Sequence, residues 1–174
     1  MKFYTYLLMA LAAVSMAMAS APAVSTPSTF VEIKAEIDLL SDSCSSLSKI
    51  PASPIVSVSV AAQISAEIQA VVAVFVDLKA MIQAYVGVLA VVEVDAILAV
   101  LVNVSVYLKL AVNILIALQI GGAGNDLLDL QVSVNAFVDA FLAIVPDASK
   151  DSATSTCQQI QQTATKGCSD YQTC

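Results

Sequence analysis

The sequence contains no histidine, no arginine and no tryptophan. Without histidine there is no imidazole to act as a general base or to ligate a metal near neutral pH. Without arginine there is no guanidinium fork for bidentate capture of phosphate. Charge is scarce: only 12% of residues are charged, 7 basic and 14 acidic, for a net charge of −7. That balance repels a phosphate backbone and excludes nucleic acid as a partner. Glycine and proline are also few, 5 of each, so turn punctuation is sparse. What the chain has instead is apolar residues, 59% of the total, the reverse of a disordered composition.

The N-terminus reads as a secretory signal over residues 1–19. Lys2 supplies the positive start, Phe3–Val14 is a short apolar stretch, and Ala17-Met18-Ala19 is a small-x-small site with cleavage expected before Ser20. Localisation is therefore expected to be secreted, extracellular or in the cell wall. Residues 20–28 form a flexible leader rich in Pro, Ser, Ala and Thr, residues 29–146 a helical bundle domain, and residues 147–174 a polar linker with a cysteine-containing tail.

The first helix has a sharp start, because Thr29 followed by Glu32 is a capping box. Phe30, Ile33, Ile37, Leu40, Cys44 and Leu47 recur at spacings of three and four, forming one apolar stripe that ends before Pro51 and Pro54. The stretch from Ile55 to Ile120 is harder to read. Alternation through Val102, Val104, Val106 and Leu108 suits a strand, and so does the abundance of valine. The turns that a meander of strands would need are missing, which favours helices. Gly121–Asn125 reads as a loop, with Asp126 capping a helix whose apolar face runs from Leu127 to Val145. Its opposite face is small or polar: Asp129, Ser133, Ala136, Ala140 and Ala143. Pro146 stops it, Asp147–Thr156 reads as linker, and Cys157–Lys166 as a short helix ended by Gly167. The expected fold is all-α, an antiparallel bundle of four or five helices with a disulfide-tethered C-terminal tail helix.

Four cysteines, Cys44, Cys157, Cys168 and Cys174, suggest two disulfides in an exported chain. Cys157 and Cys168 at the ends of one helix would lie about 16 Å apart, beyond disulfide reach. Two connectivities remain: Cys44–Cys157 with Cys168–Cys174, or Cys44–Cys168 with Cys157–Cys174. Either would tie the tail to the first helix. No Cys-x-x-Cys spacing occurs, so no zinc site is expected.

A membrane span needs about 20 apolar residues with few charges. The charge-free runs Ile55–Ala66, Ala80–Val92 and Ala96–Leu108 are shorter, and Leu110–Asn125 ends in glycines. Lys109 would lie near the middle of the best candidate window, Ala96–Ile120, so membrane insertion is not expected.

No catalytic set can be assembled. Glu93 and Asp95 would share a face only on a strand, and nothing nearby supplies a nucleophile. The Gly121–Gly124 run lacks the lysine of a phosphate-binding loop. No cofactor is implied and the chain is not expected to be an enzyme. Asn103-Val104-Ser105 is a glycosylation sequon within an apolar helix. Tyr85, Tyr107, Asn103 and Lys109 are candidate polar contacts for a lipid, with Lys109 on a stripe shared by Ser105 and Asn113.

Taken in order, the secretion signal, the capped helix Phe30–Leu40, the long Ala/Val/Leu helices and the run from Asp126-Leu127-Leu128-Asp129 to Ala143-Ile144-Val145-Pro146 resemble the fungal hydrophobic surface-binding protein A family, which includes cell-wall galactomannoproteins. The resemblance covers Thr29 to Pro146. It implies a secreted helical bundle that adsorbs to hydrophobic surfaces, some relatives holding fatty acids inside the bundle; no site residue carries over. Three functions follow in order of expectation. The first is adsorption to hydrophobic surfaces through apolar helix faces, the second carriage of a fatty acid or lipid between helices, and the third a small integral membrane protein.

Overall fold

The capping box closes as its residue types require. The Glu32 backbone N–H donates to Thr29 Oγ1 at 3.3 Å, and the Thr29 backbone N–H donates to the Glu32 carboxylate at 2.8 Å. These bonds begin α1 (Phe30–Leu47), whose residues Ile33, Ile37, Leu40, Cys44 and Leu47 are all buried. The computed structural model describes residues 28–49, 58–118 and 123–170. The expected signal, the leader up to Pro27, and Cys174 lie outside the described residues.

The remaining elements are α2 (Val58–Ala84), α3 (Val91–Leu118), α4 (Ala123–Ile144), a 3-10 turn (Asp147–Ser149) and α5 (Lys150–Asp170). No strand occurs among the described residues. On α3 the buried positions Val94, Ile97, Leu101, Val104, Leu108, Ala111 and Leu115 follow the helical repeat, while Val102, Val106 and Leu110 are exposed. Burial of one helical face therefore overrides the strand preference of valine.

The connection between α2 and α3 carries no strong turn signal in the sequence. It turns at Gly87, whose φ of 114° suits glycine. The Ala90 N–H then donates to the Glu93 carboxylate at 2.8 Å at the start of α3. Glu93 thus serves the helix end, and Asp95 is exposed. The Leu89 N–H donates to the Ile144 carbonyl at 2.9 Å, pinning this connection to the end of α4.

The helices close into a ring. α1 packs on α2 and α3, α4 packs on α2 and α5, and α5 packs on α3. Helices α2 and α4 run parallel. Asp126, near the start of α4, accepts from Ser65 Oγ at 2.5 Å and from Gln69 Nε2 at 2.6 Å near the start of α2, while the Leu89–Ile144 bond joins their far ends. Helices α4 and α5 are antiparallel, linked by Gln161 to Asn135 and by Gln131 to Thr165. The expected antiparallel bundle is therefore a closed five-helix ring that includes a parallel neighbouring pair.

Three expectations are corrected. Ala123 and Gly124 belong to α4 rather than to a loop, and Asp126 binds across to α2 instead of capping its own helix. The expected linker is a 3-10 turn followed by helix, so the tail helix spans 21 residues and runs through Gly167. Gly167 is buried where α5 comes close to Val112 of α3 and Leu127 of α4, so it serves close approach and not termination. The disulfide tether is absent, because Cys44 and Cys157 are both free and buried. Cys168 is disulfide-bonded, but with Cys44 free that bond cannot anchor α5 to α1. Close packing of small residues docks α5 instead: Ala153, Cys157, Ala164 and Gly167 lie on its buried face.

By length and composition three helical stretches, Val60–Ala84, Val91–Leu118 and Ala123–Ile144, are long and apolar enough to cross a membrane. In the ring they pack with α1 and α5. On those two helices Glu32, Asp38, Gln158, Gln159 and Gln162 are exposed.

Candidate functional site: an apolar interior and its flanking grooves

The sequence places long aliphatic side chains on one face of each of the first four helices, and closing the ring turns those faces inward. Fully buried residues include Ile37 and Leu40 of α1, Ile68, Phe75 and Leu78 of α2, Ile97, Leu101 and Leu108 of α3, and Leu130, Phe137 and Phe141 of α4. Three aromatic rings form a column. Phe75 and Phe137 have centroids 5.4 Å apart and tilted by 57°, and Phe137 stacks on Phe141 at 5.8 Å. The buried polar residues among those described are only Ser105, Ser133 and Ser149, and Ser133 donates to its own helix at the Leu130 carbonyl.

This interior has no polar chemistry to offer. Burial pushes the thiols of Cys44 and Cys157 up to about 12, so neither forms a thiolate nucleophile near neutral pH. Among the described residues no group of three or more His, Cys, Asp or Glu side chains could hold a metal ion. What the arrangement offers is an apolar interior packed from side chains of all five helices.

Clefts flank the interior, among them a polar one of about 630 Å³ between α4 and α5, lined by Asn135, Gln158, Gln161 and Thr165. Between α2 and α4 lie two adjoining clefts, of about 300 and 550 Å³, that share Lys79 and Ala136. The smaller has Val72, Val76 and Val132 in its walls, and the larger has Ile82, Tyr85, Ala140, Ala143 and Ile144. The small face that the sequence gives to α4, Ser133, Ala136, Ala140 and Ala143, lines this groove. Between α3 and α5 a more polar cleft of about 360 Å³ is lined by Ser105, Lys109, Asn113, Gln159, Thr163 and Lys166, among others.

The four lipid-contact candidates do not converge. Tyr85 lines the α2–α4 groove and Lys109 the α3–α5 cleft. Tyr107 is half-buried against the core, and Asn103 is exposed on α3, so its sequon faces outward. Sequence reasoning missed Lys79 and Gln83. Their signal was an i, i+4 pair of polar side chains near the end of a long apolar helix.

No protein-family model matches the chain, and neither does any curated protein. Solved structures do match. Afmp4p in complex with palmitic acid superposes with a TM-score of 0.73 at 15% identity, over 82% of this chain and 99% of that one. Ligand binding domain 1 of the Penicillium marneffei MP1 protein, complexed with arachidonic acids, gives 0.73 at 14% identity with the same coverage. Ligand binding domain 2 of MP1, with multiple arachidonic acids, gives 0.65 at 17% identity over 82% and 93% of the two chains. The fold is shared. At these identities the likeness is one of architecture, and it agrees with the helical bundle implied by the fungal surface-protein resemblance.

Proposed function

We propose that this chain is a secreted, non-catalytic binder of long-chain fatty acids, which it takes into the apolar interior of the five-helix ring. One observation carries the reading: side chains from every helix meet in an interior almost devoid of polar groups. Three structures that share the ring were solved with palmitic or arachidonic acid, which supports the same choice. Binding would part the helices and exchange side-chain contacts for contacts with the acyl chain. At about 0.8 kcal/mol per buried methylene, a chain of a dozen methylenes gains roughly 10 kcal/mol before the costs of opening and immobilisation. A net micromolar affinity, about −8 kcal/mol, lies within that range.

Adsorption to hydrophobic surfaces, the first function expected from the sequence, has less support. The feature that suits it is a cluster of exposed valines, Val86, Val88, Val91 and Val92, around the α2–α3 connection. Titrating a fluorescent fatty acid into protein purified without detergent, then displacing it with palmitic acid, separates the two. Saturable, displaceable binding at a fixed stoichiometry supports the interior site. Capture on hydrophobic beads without saturable fatty-acid binding would favour adsorption.

A further inference from the structure

We propose that Lys79, with Gln83 and Tyr85, forms the head-group site for the carboxylate of a single-chain lipid at the α2–α4 groove. The inference rests on the lipid-binding reading and assigns it a polar end. A chain of net charge −7 disfavours an anionic ligand unless a local cation receives it. Lys34, Lys150 and Lys166 are each held by an aspartate at 2.7–2.8 Å. Lys79 is partly buried and lines both clefts of the groove, and among the described residues its side chain makes no ion pair or hydrogen bond. Gln83, one helical turn on, and Tyr85 line the same larger cleft, and their side chains are likewise unengaged. Three donors thus line one cleft: an ammonium, an amide and a phenol.

The surroundings suit an amphiphile. Beside the donors, the smaller cleft offers Val72, Val76 and Val132 as walls for the proximal part of an acyl chain. Across from α2, Ala136, Ala140 and Ala143 present little side chain, so parting α2 from α4 would open a path for a methylene chain toward the interior. Lys109 is the other groove lysine without an ion pair, but it is exposed, and its cleft has only Val106 and Val112 as apolar walls among Ser105, Asn113, Gln159, Gln162 and Thr163. Asp139 lines the Lys79 cleft and Asp129 the adjoining one, both exposed and both opposing an anionic ligand. Asp139 therefore weakens the carboxylate site rather than forming it.

The test compares palmitic acid with hexadecanol, which shares its chain length but has no charge, by displacement of a fluorescent acyl probe from the full chain. Lys79→Met should weaken palmitic acid about tenfold, or about 1.4 kcal/mol, while hexadecanol stays within about twofold. Lys79→Arg should retain palmitic acid, Asp139→Asn should tighten it, and Lys109→Met should leave it unchanged. Equal loss of both lipids in Lys79→Met, no loss of either, or a palmitic-acid loss that appears in Lys109→Met instead would overturn the assignment while leaving lipid binding intact. If the wild-type chain binds neither lipid, the assignment falls together with the reading beneath it.

Discussion

Replacing Gly167 by alanine and by leucine sets two effects of known size against each other. In the last turn of α5 a glycine costs the helix at most about 0.5–1 kcal/mol relative to alanine, so propensity alone favours the substitution. Packing opposes it. A Cβ at position 167 would lie 3.1 Å from Val112 Cγ1 and 3.4 Å from both Val112 Cγ2 and Leu127 Cδ2. Val112 and Leu127 are buried, so neither can yield without disturbing its own neighbours. Overpacking of this kind costs about 1–3 kcal/mol. The net expectation for Gly167→Ala runs from neutral to about 2.5 kcal/mol destabilising. Leucine adds three more carbons where there is no space for them. It should exceed that range and remove a large part of a stability of about 5–15 kcal/mol. Urea unfolding followed by far-UV circular dichroism measures both variants. A local readout accompanies it: Cys157, buried on α5, should become open to alkylation in the leucine variant before Cys44 on α1 does. If alanine stabilises by its full propensity and leucine is tolerated, α5 does not approach α3 and α4 closely, and the account of its docking is wrong.

Phe137 stands between Phe75 and Phe141, so Phe137→Ala should cost about 3–5 kcal/mol. Palmitic acid at a hundredfold excess over its Kd should return about 2.7 kcal/mol as a rise in thermal midpoint, and no rise would argue against an interior ligand. Native protein treated with iodoacetamide should remain unmodified at Cys44 and Cys157, since burial pushes both thiols up to about 12; mass spectrometry of rapid labelling without denaturant would expose an error. The Glu36 carboxyl is raised above its ordinary range by burial and then by the nearby Asp77. A raised carboxyl stabilises the fold below its unfolded pKa and loses that contribution as pH rises through its folded value. Glu36→Gln should therefore stabilise the protein modestly at neutral pH and leave it unchanged in acid, and unfolding curves at the two pH values check the sign.

The first helix was fully legible, because Thr29 with Glu32 and the stripe from Phe30 to Leu47 use strong local signals that tertiary packing then reinforces. The division of residues 55–120 was not. Its turn depends on a single glycine, Gly87, and on Glu93 reaching back to the Ala90 N–H, features too small to stand out among valines. The tail was misread because its buried stripe is built from Ala153, Cys157, Ile160, Ala164 and Gly167, residues whose smallness hides a 3–4 repeat. The same smallness made Gly167 look like a stop. Cysteine arithmetic failed at Cys44 and Cys157, though not at Cys168, for a related reason: the two are buried as packing residues on helices that do not form a major contact. The small face of α4 was visible, but pairing it with α2 requires knowing that the ring brings those helices together in parallel. Lys79 could not be distinguished from other lysines until its place in the α2–α4 groove was seen together with its lack of a partner.

Isotope-edited nuclear magnetic resonance on the chain bound to uniformly carbon-13-labelled palmitic acid tests the central claim most directly. The account predicts cross-peaks between the acyl chain and the ring protons of Phe75, Phe137 and Phe141, which only a ligand inside the five-helix ring can reach. Cross-peaks confined to the exposed valines at 86, 88, 91 and 92, with none to the phenylalanines, would place the lipid on the outside and contradict it.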